Sequence, residues 1–104
     1  MEERSVFARR LQVAREARGV SQKQLGILAG IDQFVASARI NQYERGKHVP
    51  DLRTAQRLAA ELKVPVSYLY EPDEALAELI RLLGACSQDQ RLQLITQLQA
   101  LPSA

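Results

Sequence analysis

Apolar residues recur every three or four positions along most of this chain, the spacing of helices with one buried face. In the stretch RSVFARRLQVAREAR (4–18), Phe7, Leu11 and Ala14 share a stripe, with Val6 and Val13 beside it. Arg4, Arg9, Arg10, Arg15 and Arg18 ring the other side and, Arg15 apart, read as a solvated face. A second helix is predicted over 21–29: Ser21 with Gln24 forms a capping box, Leu25 turns inward, and Gly30 stops the run. Asp32 can cap a third helix, which buries Ile40 and Tyr43 and ends at Gly46. Asp51 can cap a fourth, with Leu52, Ala55, Leu58, Ala59 and Leu62 inward, and Pro65 ends it by withholding an amide. Residues 66–70 make a short fifth, with Val66 and Leu69 closing the core and Tyr68 and Tyr70 at its edge.

Pro72 opens a different segment. Leu76, Leu79, Ile80 and Leu83 fall at i, i+3, i+4 and i+7, and Gly84 breaks the run. Ser87 with Gln90 is a second capping box, leading a helix with Leu94, Ile95, Leu98 and Leu101. Every predicted element is helical, so the expected fold class is all-α. A chain of 104 residues makes one small domain with a short appendage, divided here into 1–71 and 72–104.

Charge sharpens that division. The net charge is +2, but residues 1–57 carry +5 and residues 58–104 carry −3. A basic front attached to an acidic, leucine-rich rear suggests one part facing a polyanion and another facing something else. The single Cys86 cannot form an internal disulfide, and no Cys/His spacing suits a metal. No cofactor is expected, and a reducing, cytoplasmic setting fits. No apolar run approaches the ~20 residues that span a bilayer, so no membrane role is expected. His48 is the only histidine and has no acid or nucleophile arranged around it, so an enzyme is not expected.

Two short helices joined by a glycine turn, Ser21 to Gly46, are the sequence picture of a helix-turn-helix. Arg15, Gly19, Val20, Ser21, Gln22, Leu25, Gly30, Ile40, Tyr43, Glu44, Gly46, Lys47 and Pro50 occur in that order, followed by Leu58 to Val64. This ordered set resembles the DNA-binding domain of phage repressors and Cro, the XRE family of bacterial regulators, over roughly residues 5 to 70. The resemblance implies a five-helix repressor-like domain with a helix-turn-helix, to which 72–104 adds a helical hairpin. It also implies an ion pair between Arg15 and Glu44, and a second motif helix that enters the major groove.

The pattern departs from the family between Gly30 and Glu44, where four residues are extra: Gln33, Phe34, Val35 and Ala36. Four residues are about one helical turn, so the economical expectation is a recognition helix of 32–44, lengthened at its start, with Phe34 seated on Ile27 and Leu28. A longer connecting loop is the alternative. Counted back from Tyr43, the base-reading positions implied by the resemblance are Ser37, Ala38 and Gln42, with Arg39 and Asn41 alongside. Counted forward from Gly30, Gln33 leads the helix. Ser21, Gln22 and Lys23 at the start of the first motif helix, and Arg45, Lys47 and His48 after Gly46, are phosphate-contact candidates.

The expected function is a sequence-specific regulator of double-stranded DNA, a repressor acting as a homodimer through the 72–104 element. An antitoxin of the same fold, binding a partner protein through residues 72–101, competes with it. So does a helical adaptor without specific DNA binding.

Overall fold

The computed structural model describes residues 4–103, and among them the chain is helical without strands. The elements are α1 (Val6–Arg18), α2 (Gln22–Leu28), α3 (Ala36–Glu44), α4 (Leu52–Leu62), a 3-10 helix (Val66–Tyr70), α5 (Glu74–Gly84) and α6 (Gln88–Gln99). Five of the six α-helices start where local chemistry asks them to. The side chains of Ser5, Ser21, Asp51, Asp73 and Ser87 each accept a backbone N–H that the first turn leaves free. The exception is α3, which begins behind Val35 with no side-chain cap.

That exception corrects the expected 32–44 helix. Asp32 caps a turn instead: its carboxylate accepts the Phe34 amide at 2.8 Å, and its carbonyl accepts the Val35 amide at 3.1 Å. Of the four extra residues only Ala36 joins the helix. The physical reason is where α2 and α3 cross. Ala36 is fully buried there, and a Cβ on Gly26 would come within 2.7 Å of the Ala36 Cβ. Glycine at 26 therefore lets α3 start in contact with α2, and the chain between Gly30 and Ala36 must arc outward. Phe34 does not sit on Ile27 and Leu28; it is 87% exposed, and they are exposed too.

The core draws on every element of the front part. Leu11, Leu25, Ile40, Leu58 and Leu69, its largest fully buried side chains, come from α1, α2, α3, α4 and the 3-10 helix respectively. Burying each contributes roughly 1.5–3 kcal/mol. Phe7, Tyr43 and Tyr68 join the cluster, and Tyr70 leans on Phe7 with ring centroids 5.2 Å apart. Leu52, expected inward, is exposed, because the first residue of α4 projects past the edge of the core.

The leucine-rich rear divides into two helices with different fates. α5 joins the core through Ala77, with Ile80 packed against it. Gly84 at its end lies so close to Pro65 that a Cβ would meet the ring at 2.6 Å. Arg10, expected on the solvated face, is buried and holds this junction. Its Nε donates to the Glu71 carbonyl at 2.7 Å, and its guanidinium lies 5.5 Å from the Tyr68 ring centroid. Arg9 adds an exposed ion pair to Glu74 at 2.8 Å.

By contrast, α6 buries no residue. Its position relative to α5 is set by Arg91, which donates to the Leu83 and Gly84 carbonyls at 2.8 and 3.1 Å and so caps the end of α5. Between the two helices lies an open apolar groove of about 630 Å³, lined by Leu79, Leu83, Leu94 and Leu98 among others. No helix among the described residues is long and apolar enough to cross a membrane.

Candidate nucleic-acid interface

Helix α3 has a dry side and a wet side. Ala36, Ile40, Tyr43 and Glu44 are buried, whereas Ser37, Ala38 and Arg39 are exposed and Asn41 and Gln42 half-buried. Gln33, in the turn ahead of the helix, is exposed. The buried side chains fix the helix against α1 and α2, so the outward side chains project from a supported rod.

The end of that rod is tied down electrostatically. Arg15 grips the Glu44 carboxylate side-on, Nε to Oε2 at 2.6 Å and Nη2 to Oε1 at 3.1 Å. Its remaining Nη1 donates to the Val20 carbonyl at 3.0 Å. The hydrogen bond to Glu44 holds the Arg15 guanidinium above its ordinary pKa. The Gln22 amide also donates to Glu44 Oε1 at 3.1 Å and to Asn41 Oδ1 at 3.2 Å, so one buried carboxylate links α1, α2 and α3. Arg4, which the sequence reading left on a solvated face, donates to the Glu44 carbonyl at 3.1 Å and to Gln12. The described residues leave no buried side-chain polar atom without a partner.

Arg45, Lys47 and His48 are all exposed in the loop after α3. His48 and Val49 form a shallow depression of about 330 Å³ with Arg39, Gln42 and Tyr43. Ser21 and Lys23 are exposed at the start of α2. The Ser21 hydroxyl oxygen accepts the Gln24 amide at 3.0 Å, which leaves its hydrogen free to donate. Gln22 differs from the other phosphate candidates, since its side-chain amide is engaged within the chain.

A helix-turn-helix family model matches residues 11–69, more than half of the chain and all of α2, α3 and α4. The chain belongs to the XRE-type helix-turn-helix regulators. The crystal structure of the transcriptional regulator BswR matches with a TM-score of 0.84 and 47% sequence identity, covering 90% of this chain and 93% of that one. Such coverage cannot be reached without most of residues 72–104, so the likeness extends into the rear helices. No match was found among curated protein sequences.

In this helix-turn-helix, α2 is the first motif helix and α3 the second, with Arg15–Glu44 as the brace between α1 and the end of α3. Two side chains that brace the structure were missed from sequence. Arg10 could have been found, because it lies at i+3 from Phe7 and i−4 from Ala14, on the buried stripe itself. Arg4 carried no such signal: its partner carbonyl is 40 residues away.

Proposed function

We propose that this regulator binds double-stranded DNA sequence-specifically as a homodimer and represses transcription by occluding polymerase, in the cytoplasm. The observation that carries the reading is the exposed Ser37–Ala38–Arg39 face of α3, backed by buried Ile40 and Tyr43 and flanked by the cationic loop 45–48. With α3 in the major groove, Arg39 forks onto guanine, Asn41 and Gln42 pair with adenine, Ala38 touches a thymine methyl, and Ser37 and Gln33 contact neighbouring bases. Arg45, Lys47, His48 and the start of α2 (Ser21, Gln22, Lys23) hold phosphates, which set register without reading sequence. Gln22 then acts through its backbone amide, its side chain orienting Asn41.

The homodimer reading is supported by the unpartnered groove. Of the residues that line it, Leu76, Leu79, Leu82, Leu98 and Leu101 are each about half exposed on α5 and α6 and just beyond. They form one continuous apolar lining, the kind of surface from which an interface burying ~800 Å² per partner is built. A second copy would cover this surface and set two α3 helices about one DNA turn, ~34 Å, apart. The same groove suits a toxin helix, so it also favours the antitoxin reading of residues 72–101.

Selection of binding sites from random duplexes, run beside sedimentation of the full chain, tests the reading. A near-palindromic site bound by two copies is expected. A heteromer with a co-purifying small protein and no homodimer supports the antitoxin. Affinity that never exceeds the non-specific level supports the adaptor and overturns the proposal.

A further inference from the structure

The turn between α2 and α3 carries an aromatic side chain with no folding role. Phe34 is 87% exposed, whereas Phe7, Tyr43 and Tyr68 are buried and Tyr70 packs on Phe7. The exposure does not come from a loose loop. On one side the Ile31 amide donates to the Gly26 carbonyl at 2.8 Å, and Ile31 packs against the core. On the other, Ala36 is locked onto Gly26. Between them Asp32 accepts the Phe34 and Val35 amides, so the backbone under the ring is hydrogen-bonded in a defined turn.

Position gives the ring its partner. Phe34 lies two residues before Ala36, the first residue of α3, and so within about 7 Å of the helix start. The N-terminal residues of a recognition helix are the ones that meet base edges. The neighbours Gln33 and Val35 are uncharged, and the Asp32 carboxylate, turned back to the Phe34 amide, would repel a phosphate, so the tip of this turn suits the floor of a groove better than the backbone. The apolar feature on that floor is the thymine C5-methyl group.

We propose that Phe34 is a specificity-determining residue: it packs on a thymine methyl in the major groove, beside the bases read by α3. The proposal rests on the DNA-reading role of α3 argued above. It makes the four-residue insertion a second reading element, which adds a base position to each half-site.

Single replacement of thymine by deoxyuridine in the selected duplex tests this, because it removes the methyl and leaves base pairing intact. At one thymine per half-site the wild-type chain should lose about fourfold in affinity, the worth of one buried methyl group, and about fifteenfold when both half-sites are changed. Phe34→Ala should be indifferent to that replacement while keeping its preference at the position read by Arg39, and Phe34→Leu should restore part of the sensitivity. The exposed ring predicts unchanged melting for both variants, so lost binding cannot be lost folding. Equal uridine sensitivity in wild type and Phe34→Ala overturns the proposal but leaves α3 as reader. A change in self-association with no change in base preference would assign the turn to a protein partner and overturn it too. If no duplex is bound above the non-specific level, the reading of α3 fails and this proposal falls with it.

Discussion

Helices α2 and α6 begin with the same device and end in opposite situations. Each opens on a serine that accepts the amide three residues on, while a glutamine reaches back to the serine amide. The seven-residue α2 is then pressed into the core, with Leu25 fully buried and Gly26 in contact with α3. The twelve-residue α6 buries nothing. A capping box satisfies backbone donors and so decides where a helix starts. It is silent about what the helix packs on. In the front of this chain the apolar face is spent on holding α3 in position. In the rear an apolar face is left exposed.

Paired substitutions in the front and rear helices test this contrast. The largest difference is expected between two ion pairs. Arg15→Ala strips a partner from the buried Glu44 carboxylate and should cost ~3–5 kcal/mol of stability in chemical denaturation. Glu78→Ala removes the exposed Glu78–Arg81 pair of α5, which solvent screens, and should leave the denaturation midpoint nearly unchanged. Next come two leucines. Leu25→Ala should destabilise by ~2–5 kcal/mol. Leu98→Ala should leave the unfolding of dilute protein within ~0.5 kcal/mol of wild type, yet weaken self-association in sedimentation. If Leu98→Ala unfolds the dilute chain as severely as Leu25→Ala, α6 belongs to the core and the contrast is wrong. Gly26→Ala comes third. Alanine favours a helix by ~1 kcal/mol, but its methyl has no room beside Ala36, so a net loss of ~1–3 kcal/mol is expected in thermal melts.

Acid supplies the gentlest probe. The Thr54 backbone amide holds the Asp51 carboxylate below its usual pKa, and hydrogen bonds from Arg9 and Arg10 do the same for Glu74. A carboxylate whose pKa is lowered by folding adds stability above the ordinary carboxylate range, and that stability is lost as pH falls through the lowered value. Melting temperature should therefore decline on acidification below about pH 4 to 5. Glu74→Gln, which removes the titrating group under α5, should flatten part of that decline. An unchanged profile would separate Glu74 from the docking of α5.

What could be read in advance follows the same line. Caps and periodicity are local, so Ser21, Asp51 and Ser87 announced their helices, and Leu11, Leu25, Ile40, Leu58 and Leu69 fell on inward stripes. The start of α3 was not local. Asp32 can cap a helix or close a turn with the same carboxylate, and the choice was made by the close approach of Gly26 and Ala36, ten residues apart in sequence. Hence the expected packing of Phe34 failed with the expected helix. Arg10 misled for another reason: its position on the buried stripe was visible, but the carbonyls that satisfy it come from Glu71 and Pro72. The outward set Ser37, Ala38 and Arg39 was legible because Ile40 and Tyr43 had to face the other way.

If α3 reads sequence, titrating Arg39→Ala against the selected duplex and a scrambled one will separate the two. The selected site should weaken by ~1–3 kcal/mol while binding to the scrambled duplex hardly changes, with tolerance appearing at one base pair. Lys47→Ala in the same titration should weaken both duplexes alike and reduce the salt slope by about one. Equal weakening of both duplexes by Arg39→Ala would make that residue one more phosphate contact and rule out α3 as the reader of sequence.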